Sequence, residues 1–284
     1  MSFRELKTQI YWPTTDQKVR VSNPCGRTQL NLYGDIEFLL GGVNLWKQVE
    51  REYCNLKNKK GNYAWAYGYI LQLPKFIVEV GACDLLDSFE LADYFDSKVL
   101  AFEPDPYCVK VCLSNLEINR HPQVTFSSKC LGDTNGIKEF YVYSASNSSI
   151  FKHEALEITQ VVKVDMHRYD SLGLPAPDLL VIDAQGSELS ILEGFGQELK
   201  KVKYLIFETG FHSSYQTKHN YNSCNEYLKN LNFKFLASNV SGKGRLRFGL
   251  MWCRGIFYYF RKYGIKGVKK YPGFFDVLYI NKAF

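Results

Sequence analysis

The stretch Phe76-Ile77-Val78-Glu79-Val80-Gly81-Ala82 decides the fold of this chain. It is a β-branched apolar run that carries one acid and ends in a glycine. Continuous apolar runs are typical of parallel strands, because helices cover both faces of such strands. A glycine just beyond the strand allows a tight turn and a close approach of the backbone to a ligand. We therefore predict that this stretch is the central strand of an open α/β sheet with a ligand at its carboxyl end.

The next predicted strand is Lys98-Val99-Leu100-Ala101-Phe102, which is followed by Glu103 and Pro104. Glu103 comes 22 residues after Gly81. An acid at about this spacing, at the end of the second strand, can accept hydrogen bonds from both hydroxyls of a ribose. The two strand ends together predict a site for an adenosine.

From residue 76 onward, strand patterns alternate with helix patterns, which predicts a doubly wound sheet with helices on both faces. Asp84 or Asp87 is the expected N-cap of the first helix, and Pro106 suits the first turn of the second. The remaining strands are predicted at 124–126, 138–143, 161–164, 178–183, 204–208, 233–237 and 275–280. The helices are predicted at 85–95, 106–119, 189–199 and 223–230.

Four predicted strands carry an acid at or near their carboxyl ends, and these acids predict a polar cleft along one edge of the sheet. The alternative is that each acid caps the helix that follows it. A loop containing Asn147-Ser148-Ser149 is expected over this cleft, either to bond a sugar or as a plain polar connector. The four acids are Glu79, Glu103, Asp183 and Glu208.

Residues 1–75 show no strand pattern and are interpreted as a mostly helical N-terminal cap beside a main domain of residues 76–284. Short amphipathic helices are predicted at 36–40 and 44–49, and an aromatic-rich helix is predicted from Tyr63 to Leu73. Such a segment can cover a substrate cleft or serve only a structural purpose.

Composition excludes several classes of protein. With 284 residues, of which 46% are apolar, the chain can bury a core and is not expected to be disordered. No apolar run approaches the roughly 20 residues that span a bilayer, and the first residues lack the apolar core of a signal peptide. The 8 cysteines form no CxxC pair and no zinc pattern. We therefore expect reduced, mostly buried thiols, no metal site and a cytoplasmic location, with peripheral membrane contact left open.

A basic aromatic segment, residues 243–270, is expected to be an insertion in the C-terminal half. It contains nine Lys or Arg residues and no Asp or Glu. Three interpretations are open: a helical insertion that covers the cleft with its cations solvated, a membrane-surface contact, or a nucleic-acid contact. Nucleic acid is ranked last, because no RNA-binding motif accompanies the segment.

Four motifs together resemble the FkbM-type methyltransferases. The resemblance covers about 76–284, and its most specific part runs from Ile182 to Glu188. The motifs are Val78-Glu79-Val80-Gly81-Ala82, Ala101-Phe102-Glu103-Pro104, Leu131-Gly132-Asp133 and Ile182-Asp183-Ala184-Gln185-Gly186-Ser187-Glu188.

This resemblance implies a Rossmann-like class I methyltransferase fold with S-adenosylmethionine as cofactor. Members typically O-methylate sugars or other small hydroxyl compounds. Asp183 and Glu188 are the motif acids nearest the expected methyl group, and His212 is a further candidate base because it follows a strand end. The cofactor-binding residues implied are Glu79, Gly81, Ala82, Glu103, Pro104, Asp133 and Asp183.

The sequence departs from the family pattern at four positions. The family loop reads roughly Gly-Ala-Asn-x-Gly. In this chain Cys83 stands where the family has Asn, and Leu85 stands where it has the second Gly. Val181 replaces a lysine, and Gln185 replaces the commoner glutamate. Because Gln185 removes a charge, a base role shifts toward Asp183 or Glu188.

The sequence therefore predicts an S-adenosylmethionine-dependent O-methyltransferase that acts on a hydroxyl of a carbohydrate or glycoconjugate. One alternative is an RNA 2′-O-methyltransferase. The other is a non-catalytic module that holds a glycan or a membrane on a methyltransferase fold. The sequence does not indicate an oligomeric state.

Overall fold

The structure is a computed structural model, and it describes residues 61–143, 147–211, 213–240, 257, 260–261 and 274–284. Three sequence predictions lie wholly or mostly outside these residues: the short helices at 36–40 and 44–49, His212, and the basic segment 243–270.

The described ranges contain ten strands in two sheets. The strands are β1 (Phe76–Val80), β2 (Lys98–Phe102), β3 (Val124–Ser127), β4 (Cys130–Leu131), β5 (Gly136–Val142), β6 (Gln160–His167), β7 (Leu179–Ile182), β8 (Tyr204–Thr209), β9 (Phe233–Ser238) and β10 (Phe275–Asn281).

The larger sheet has seven strands in the order β3-β2-β1-β7-β8-β10-β9. The first five pair in parallel, whereas β10 runs antiparallel to both β8 and β9. β1 lies between β2 and β7, and four of its five residues are buried. The prediction that Phe76–Val80 is a central, doubly covered strand is therefore confirmed.

A second sheet of three strands, in the order β4-β6-β5, lies apart from the first. The strand patterns alone do not indicate it. Most residues of β5 are exposed, and β6 alternates between exposed and buried positions near its end. Such half-exposed strands cannot belong to the interior of a parallel sheet, which is covered on both faces.

Helices α1 (Ala64–Tyr67), α2 (Leu86–Phe95), α3 (Pro106–Asn119), α4 (Glu188–Gly194) and α5 (Tyr221–Asn230) flank the strands. α3 begins as predicted, with Pro106 in its first turn and the Asp105 carboxylate accepting from the backbone N–H of Tyr107 at 2.8 Å. α2 differs from expectation, because its N-cap is Leu85 and not Asp84 or Asp87. Asp84 instead accepts from the N–H of Leu86 at 3.0 Å.

The helix predicted at 189–199 is split in the structure. α4 ends at Gly194, and a 3-10 helix follows over Gly196–Lys201. Gly196 adopts φ +52°, a left-handed conformation that a regular helix cannot accommodate.

Apolar side chains fill both faces of the large sheet. One core lies between the sheet and α4 and α5, and the other lies between the sheet and α1 and α2. The Tyr67 ring, from the predicted cap, packs edge-on against Phe95 of α2 at 5.1 Å between ring centroids. The described part of the predicted cap therefore shares the core of the main domain, and the division at residue 75 stays a prediction.

Cysteine chemistry and membrane topology can be stated for the described residues only. Four cysteines are free and buried, as expected, but Cys83 is disulfide-bonded, so the prediction of reduced thiols is wrong at that position. Within the described ranges no helix combines the length and apolarity needed to cross a bilayer. The free cysteines are Cys108, Cys112, Cys130 and Cys224.

Candidate active site

A cavity of about 300 Å³ lies where the carboxyl ends of β1, β2, β7 and β8 meet. The loops after β1, β2 and β7 line one side of the cavity, and residues of β4, β5 and the 147–150 loop line the rest. The lining residues are Asn62, Val80, Gly81, Ala82, Cys83, Asp84, Asp87, Glu103, Pro104, Asp105, Cys108, Cys130, Leu131, Phe140, Asn147, Ser148, Ile150, Asp183, Ala184, Gln185, Ser187, Ile191 and Glu208.

Backbone hydrogen bonds tie the strand ends together beneath the cavity. The N–H groups of Gly81 and Ala82 both donate to the Phe102 carbonyl, at 2.9 and 3.1 Å. Gly81 adopts φ +88°, and a Cβ on it would lie 1.8 Å from the carbonyl oxygen of Asp183. Only glycine fits this conformation and this close approach. The predicted close turn after β1 is therefore present, and it faces the neighbouring strand end as well as the cavity.

Glu103 lines the cavity with a buried carboxylate. One oxygen accepts from the N–H of Cys83 at 3.0 Å, and the other accepts from the N–H of Asp105 at 2.8 Å. Burial raises the pKa of Glu103 to about 7, against the opposing effect of these two hydrogen bonds. Because a carboxylate offers about four acceptor sites, Glu103 can still accept from two ligand hydroxyls.

Cys83 and Leu85 occupy the two positions where the family pattern has Asn and Gly. They adopt φ +53° and +67°, in the left-handed region that favours those two residue types. The loop therefore keeps a backbone shape that suits the family sequence, although its own side chains are strained there. Leu85 is fully buried, and its packing in the core offsets part of that strain.

Asp183 and Glu208 form an acidic pair bridged by an amide. The Gln185 side-chain N–H₂ donates to Asp183 at 2.9 Å and to Glu208 at 3.3 Å. The hydroxyl of Tyr215 donates to the Gln185 side-chain oxygen at 3.0 Å, or alternatively to the Asn147 carbonyl at 2.9 Å. We call Asp183, Gln185 and Glu208 the acid-amide cluster.

The pKa of Glu208, one of the two acids of this cluster, is shifted by its surroundings. Burial raises the pKa of Glu208 well above its ordinary value, and the nearby carboxylates of Asp183, Asp276 and Glu188 raise it further. Two carboxylates at close range do not both ionise readily. The surroundings of Glu208 therefore favour the protonated form of its carboxyl group.

Glu188, a predicted catalytic residue, is buried and is not among the residues that line the cavity. One of its oxygens accepts from the N–H groups of Ala184 at 3.2 Å and Gly186 at 3.0 Å. Glu188 thus holds the loop that presents Asp183 and Gln185. Burial raises the pKa of Glu188 to about 7.

We predict that Glu188 makes the protein less stable as pH rises. Its folded-state pKa of about 7 exceeds the ordinary 4.5, so the folded state binds more protons than the unfolded state between these values. Stability then falls with increasing pH across that window, by about 3 kcal/mol from this one group. In urea denaturation at several pH values, Glu188→Gln should show a correspondingly flatter decline than wild type. Parallel curves for the two proteins would contradict this.

Two predicted cofactor-binding residues lie away from the cavity lining. Glu79 is buried within β1, and its carboxylate accepts from the hydroxyl of Ser88. Asp133 lies beyond β4, where its backbone N–H donates to Ser190 at 3.1 Å and its carbonyl accepts from Arg168 at 2.8 Å. The other five predicted cofactor residues line the cavity: Gly81, Ala82, Glu103, Pro104 and Asp183.

Several lining residues escaped sequence reasoning. Asn62, from the predicted cap, lines the cavity and lies 3.5 Å from Asp87, measured from its side-chain nitrogen to the carboxylate oxygen. No spacing in the sequence connects these two residues. Asn147 and Ser148 line the cavity, as the loop prediction expected.

Comparison with known protein families identifies the family of this chain. The family model "Methyltransferase FkbM domain" matches residues 79–235, which is more than half of the chain. The chain belongs to the FkbM methyltransferase family. This confirms the resemblance inferred from the strand-end motifs, and S-adenosylmethionine is the cofactor of this methyltransferase.

Solved structures with a similar arrangement are remote in sequence. An FkbM methyltransferase from Methylobacillus flagellatus KT is 14% identical with a TM-score of 0.43, over 68% of this chain and 51% of that one. Magnesium protoporphyrin IX methyltransferase from Synechocystis PCC 6803, with bound SAM, is 12% identical with a TM-score of 0.42, over 88% of each chain. These scores add no argument to the family match. A search of curated protein sequences found no relative of this chain.

The residues present fit this cofactor. S-adenosylmethionine carries ribose hydroxyls, an ammonium, a carboxylate and a sulfonium, so it needs hydrogen-bond acceptors and negative charge. Glu103 would accept from the ribose hydroxyls, and the acid-amide cluster supplies negative charge elsewhere in the same cavity. When bound, the cofactor supplies an electrophilic methyl group. The chain's own task is to orient an acceptor, exclude water and receive its proton.

Proposed function

We propose that this FkbM methyltransferase transfers its methyl group to a hydroxyl of a sugar or glycoconjugate. The observation that carries the proposal is the charge and chemistry of the cavity lining. Among the described residues that line it, six are carboxylates and none is Lys, Arg or His. The six acids are Asp84, Asp87, Glu103, Asp105, Asp183 and Glu208.

An acceptor without negative charge suits such a lining. Carboxylates, amides and hydroxyls bond to sugar hydroxyls, whereas a phosphate or carboxylate on the acceptor would be repelled. Asn147, Ser148 and Gln185 offer the amide and hydroxyl groups at the cavity. Asp183 also lines it and is the base that we propose, because the Glu188 carboxylate accepts from backbone N–H groups and does not line the cavity.

The two alternatives lose support on different grounds. An RNA 2′-O-methyltransferase needs cations along the phosphate path, and the described cavity lining supplies none. A non-catalytic module was favoured by the altered loop at Cys83 and Leu85, but both residues keep the left-handed backbone that the family pattern suits.

Membrane-surface contact through residues 243–270 is a separate proposal about partners. Phe257 and Phe260 are 63% and 49% exposed, which suits insertion of aromatic rings at an interface. Full-length protein should pellet with vesicles containing anionic lipid, and a variant with its basic residues in 243–270 replaced by glutamine should not. Equal pelleting of both proteins would remove this proposal and leave the enzymatic one intact.

We expect transfer of isotopically labelled methyl groups from S-adenosylmethionine to neutral mono- and oligosaccharides in a mixed acceptor panel. The matched comparison is the same panel with sugar phosphates, uronic acids and RNA, which should be labelled at least tenfold less. Mass spectrometry of the product should find the label as an O-methyl ether. Preferential labelling of the anionic acceptors or of RNA would overturn the proposal.

A further inference from the structure

We infer that Tyr215 is a positioning residue for methyl transfer, because its hydroxyl fixes the orientation of the Gln185 amide against Asp183. Tyr215 does not itself line the cavity, and it acts through two residues that do, Gln185 and Asn147. The inference rests on the proposed function in one respect, namely that Asp183 receives the proton of the acceptor hydroxyl.

The Tyr215 ring is buried and closely surrounded. It packs so tightly against Gly186 that a Cβ on this glycine would lie 2.9 Å from the ring. The His153 ring meets it edge to face, with 4.9 Å between the ring centroids. Backbone hydrogen bonds pair residues 152–154 with residues 214–216, and we call this pair of segments the ribbon. The position of the Tyr215 hydroxyl is therefore set by packing and by backbone bonds together.

This hydroxyl lies between two acceptor oxygens. It is 3.0 Å from the side-chain oxygen of Gln185 and 2.9 Å from the backbone carbonyl oxygen of Asn147. Burial raises the pKa of Tyr215 well above its usual value, so the hydroxyl keeps its proton at neutral pH and acts as a donor. It thereby joins the 147–150 loop to the turn after β7 at the edge of the cavity.

Fixing the Gln185 oxygen also fixes the other end of the amide, because the side chain carries one oxygen and one N–H₂ group. With the oxygen on Tyr215, the N–H₂ group faces Asp183 at 2.9 Å and Glu208 at 3.3 Å. A reversed amide would present its oxygen to both acids. An N–H donor stabilises an ionised carboxylate, which is the form that a base requires. The observed orientation therefore suits Asp183 for its proposed role.

The first test needs neither cofactor nor acceptor. It is NMR of the full chain with isotope-labelled glutamine side-chain amides, in which the Gln185 signal is assigned by its absence in Gln185→Met. Tyr215→Phe keeps the ring and removes the hydroxyl. In this variant the Gln185 N–H₂ protons should exchange with solvent about tenfold faster than in wild type, which corresponds to one lost hydrogen bond.

Tyr143→Phe is the matched control. The hydroxyl of Tyr143 is also on a buried side chain, and it accepts from the N–H of His153 at 2.7 Å. It therefore holds the same ribbon without a hydrogen bond to Gln185. Exchange of the Gln185 amide should be the same in Tyr143→Phe as in wild type.

The second test measures transfer of labelled methyl groups from S-adenosylmethionine to the neutral sugar that wild type labels best. At saturating cofactor, the rate should fall about tenfold in Tyr215→Phe and stay close to wild type in Tyr143→Phe. Calorimetry should show that both variants still bind S-adenosylmethionine. In a Gln185→Met background, Tyr215→Phe should have no further effect, because the group through which Tyr215 acts is gone.

Unchanged exchange of the Gln185 amide in Tyr215→Phe would overturn the inference. Additive effects of the two substitutions on the rate would also overturn it, as would an equal loss of rate in Tyr143→Phe. If circular dichroism showed Tyr215→Phe to be unfolded, a full transfer rate in Gln185→Met would refute the inference and a reduced one would support it. Failure of wild type to label any neutral sugar would instead remove the proposed function, and amide exchange would still decide the contact.

Discussion

Replacing Glu103 with glutamine is expected to weaken the binding of S-adenosylmethionine by about 100-fold. Hydrogen bonds to a charged acceptor contribute roughly 1.5–3 kcal/mol each, and the variant loses this strength toward two ribose hydroxyls. In wild type the two carboxylate oxygens accept hydrogen bonds from the backbone N–H groups of Cys83 and Asp105. In the variant, an amide N–H₂ faces one of these N–H groups, so that two donors meet and one hydrogen bond is lost. The loop after β1 would then lose one of its anchors.

Calorimetry or equilibrium dialysis with labelled cofactor measures the effect. Glu117→Gln, at an exposed position on α3, makes the same chemical change outside the cavity and should bind like wild type. Circular dichroism should show that the Glu103→Gln variant remains folded, because burial already disfavours the charged form of this side chain. Unchanged cofactor affinity in the Glu103→Gln variant would show that the ribose does not lie against Glu103.

Replacing Gly81 with alanine is expected to lower the free energy of unfolding by about 3–5 kcal/mol. The left-handed backbone costs a non-glycine residue roughly 1–2 kcal/mol, and the added methyl would lie 1.8 Å from the Asp183 carbonyl oxygen. Relief requires the end of β1 or of β7 to move, and both ends line the cavity. Cofactor binding should therefore fall together with stability.

Gly68→Ala is the matched control for this change. A Cβ at Gly68 meets nothing within 4 Å, and the residue has φ −66°, which alanine adopts freely. In urea denaturation, its free energy of unfolding should lie within about 0.5 kcal/mol of wild type, or slightly above it. A Gly81→Ala protein as stable as the Gly68→Ala control would refute the close approach of the two strand ends.

Continuous apolar strands were the most predictable part of the fold. The bounds of β1 and β2 follow directly from runs of apolar residues. The acids that follow such strands lie close together because neighbouring parallel strands end at the same edge of the sheet. The sequence alone therefore assigns Glu103 and Asp183 to one cleft. The three-stranded sheet could not, because its strands alternate weakly and resemble ordinary hairpins.

Side-chain direction was the least predictable part of the site. Glu188 has the right residue type and motif for a base, but its carboxylate turns back to cap two backbone N–H groups. Asp133 follows a strand of only two residues, Cys130–Leu131, after which the backbone bonds to Ser190 and Arg168. Leu85 as an N-cap contradicts every capping preference, and only the tertiary structure explains it.

The position of β10 bears on how the chain is made. β10 follows β9 in the chain, yet it is inserted between β8 and β9 in the sheet. As the polypeptide leaves the ribosome, β8 therefore has an open edge until residues 275–281 have emerged, and unpaired edges readily join other strands. Because β8 carries Glu208, one of the residues that line the cavity, this wall of the candidate site lacks its neighbouring strand until residues 275–281 have left the ribosome.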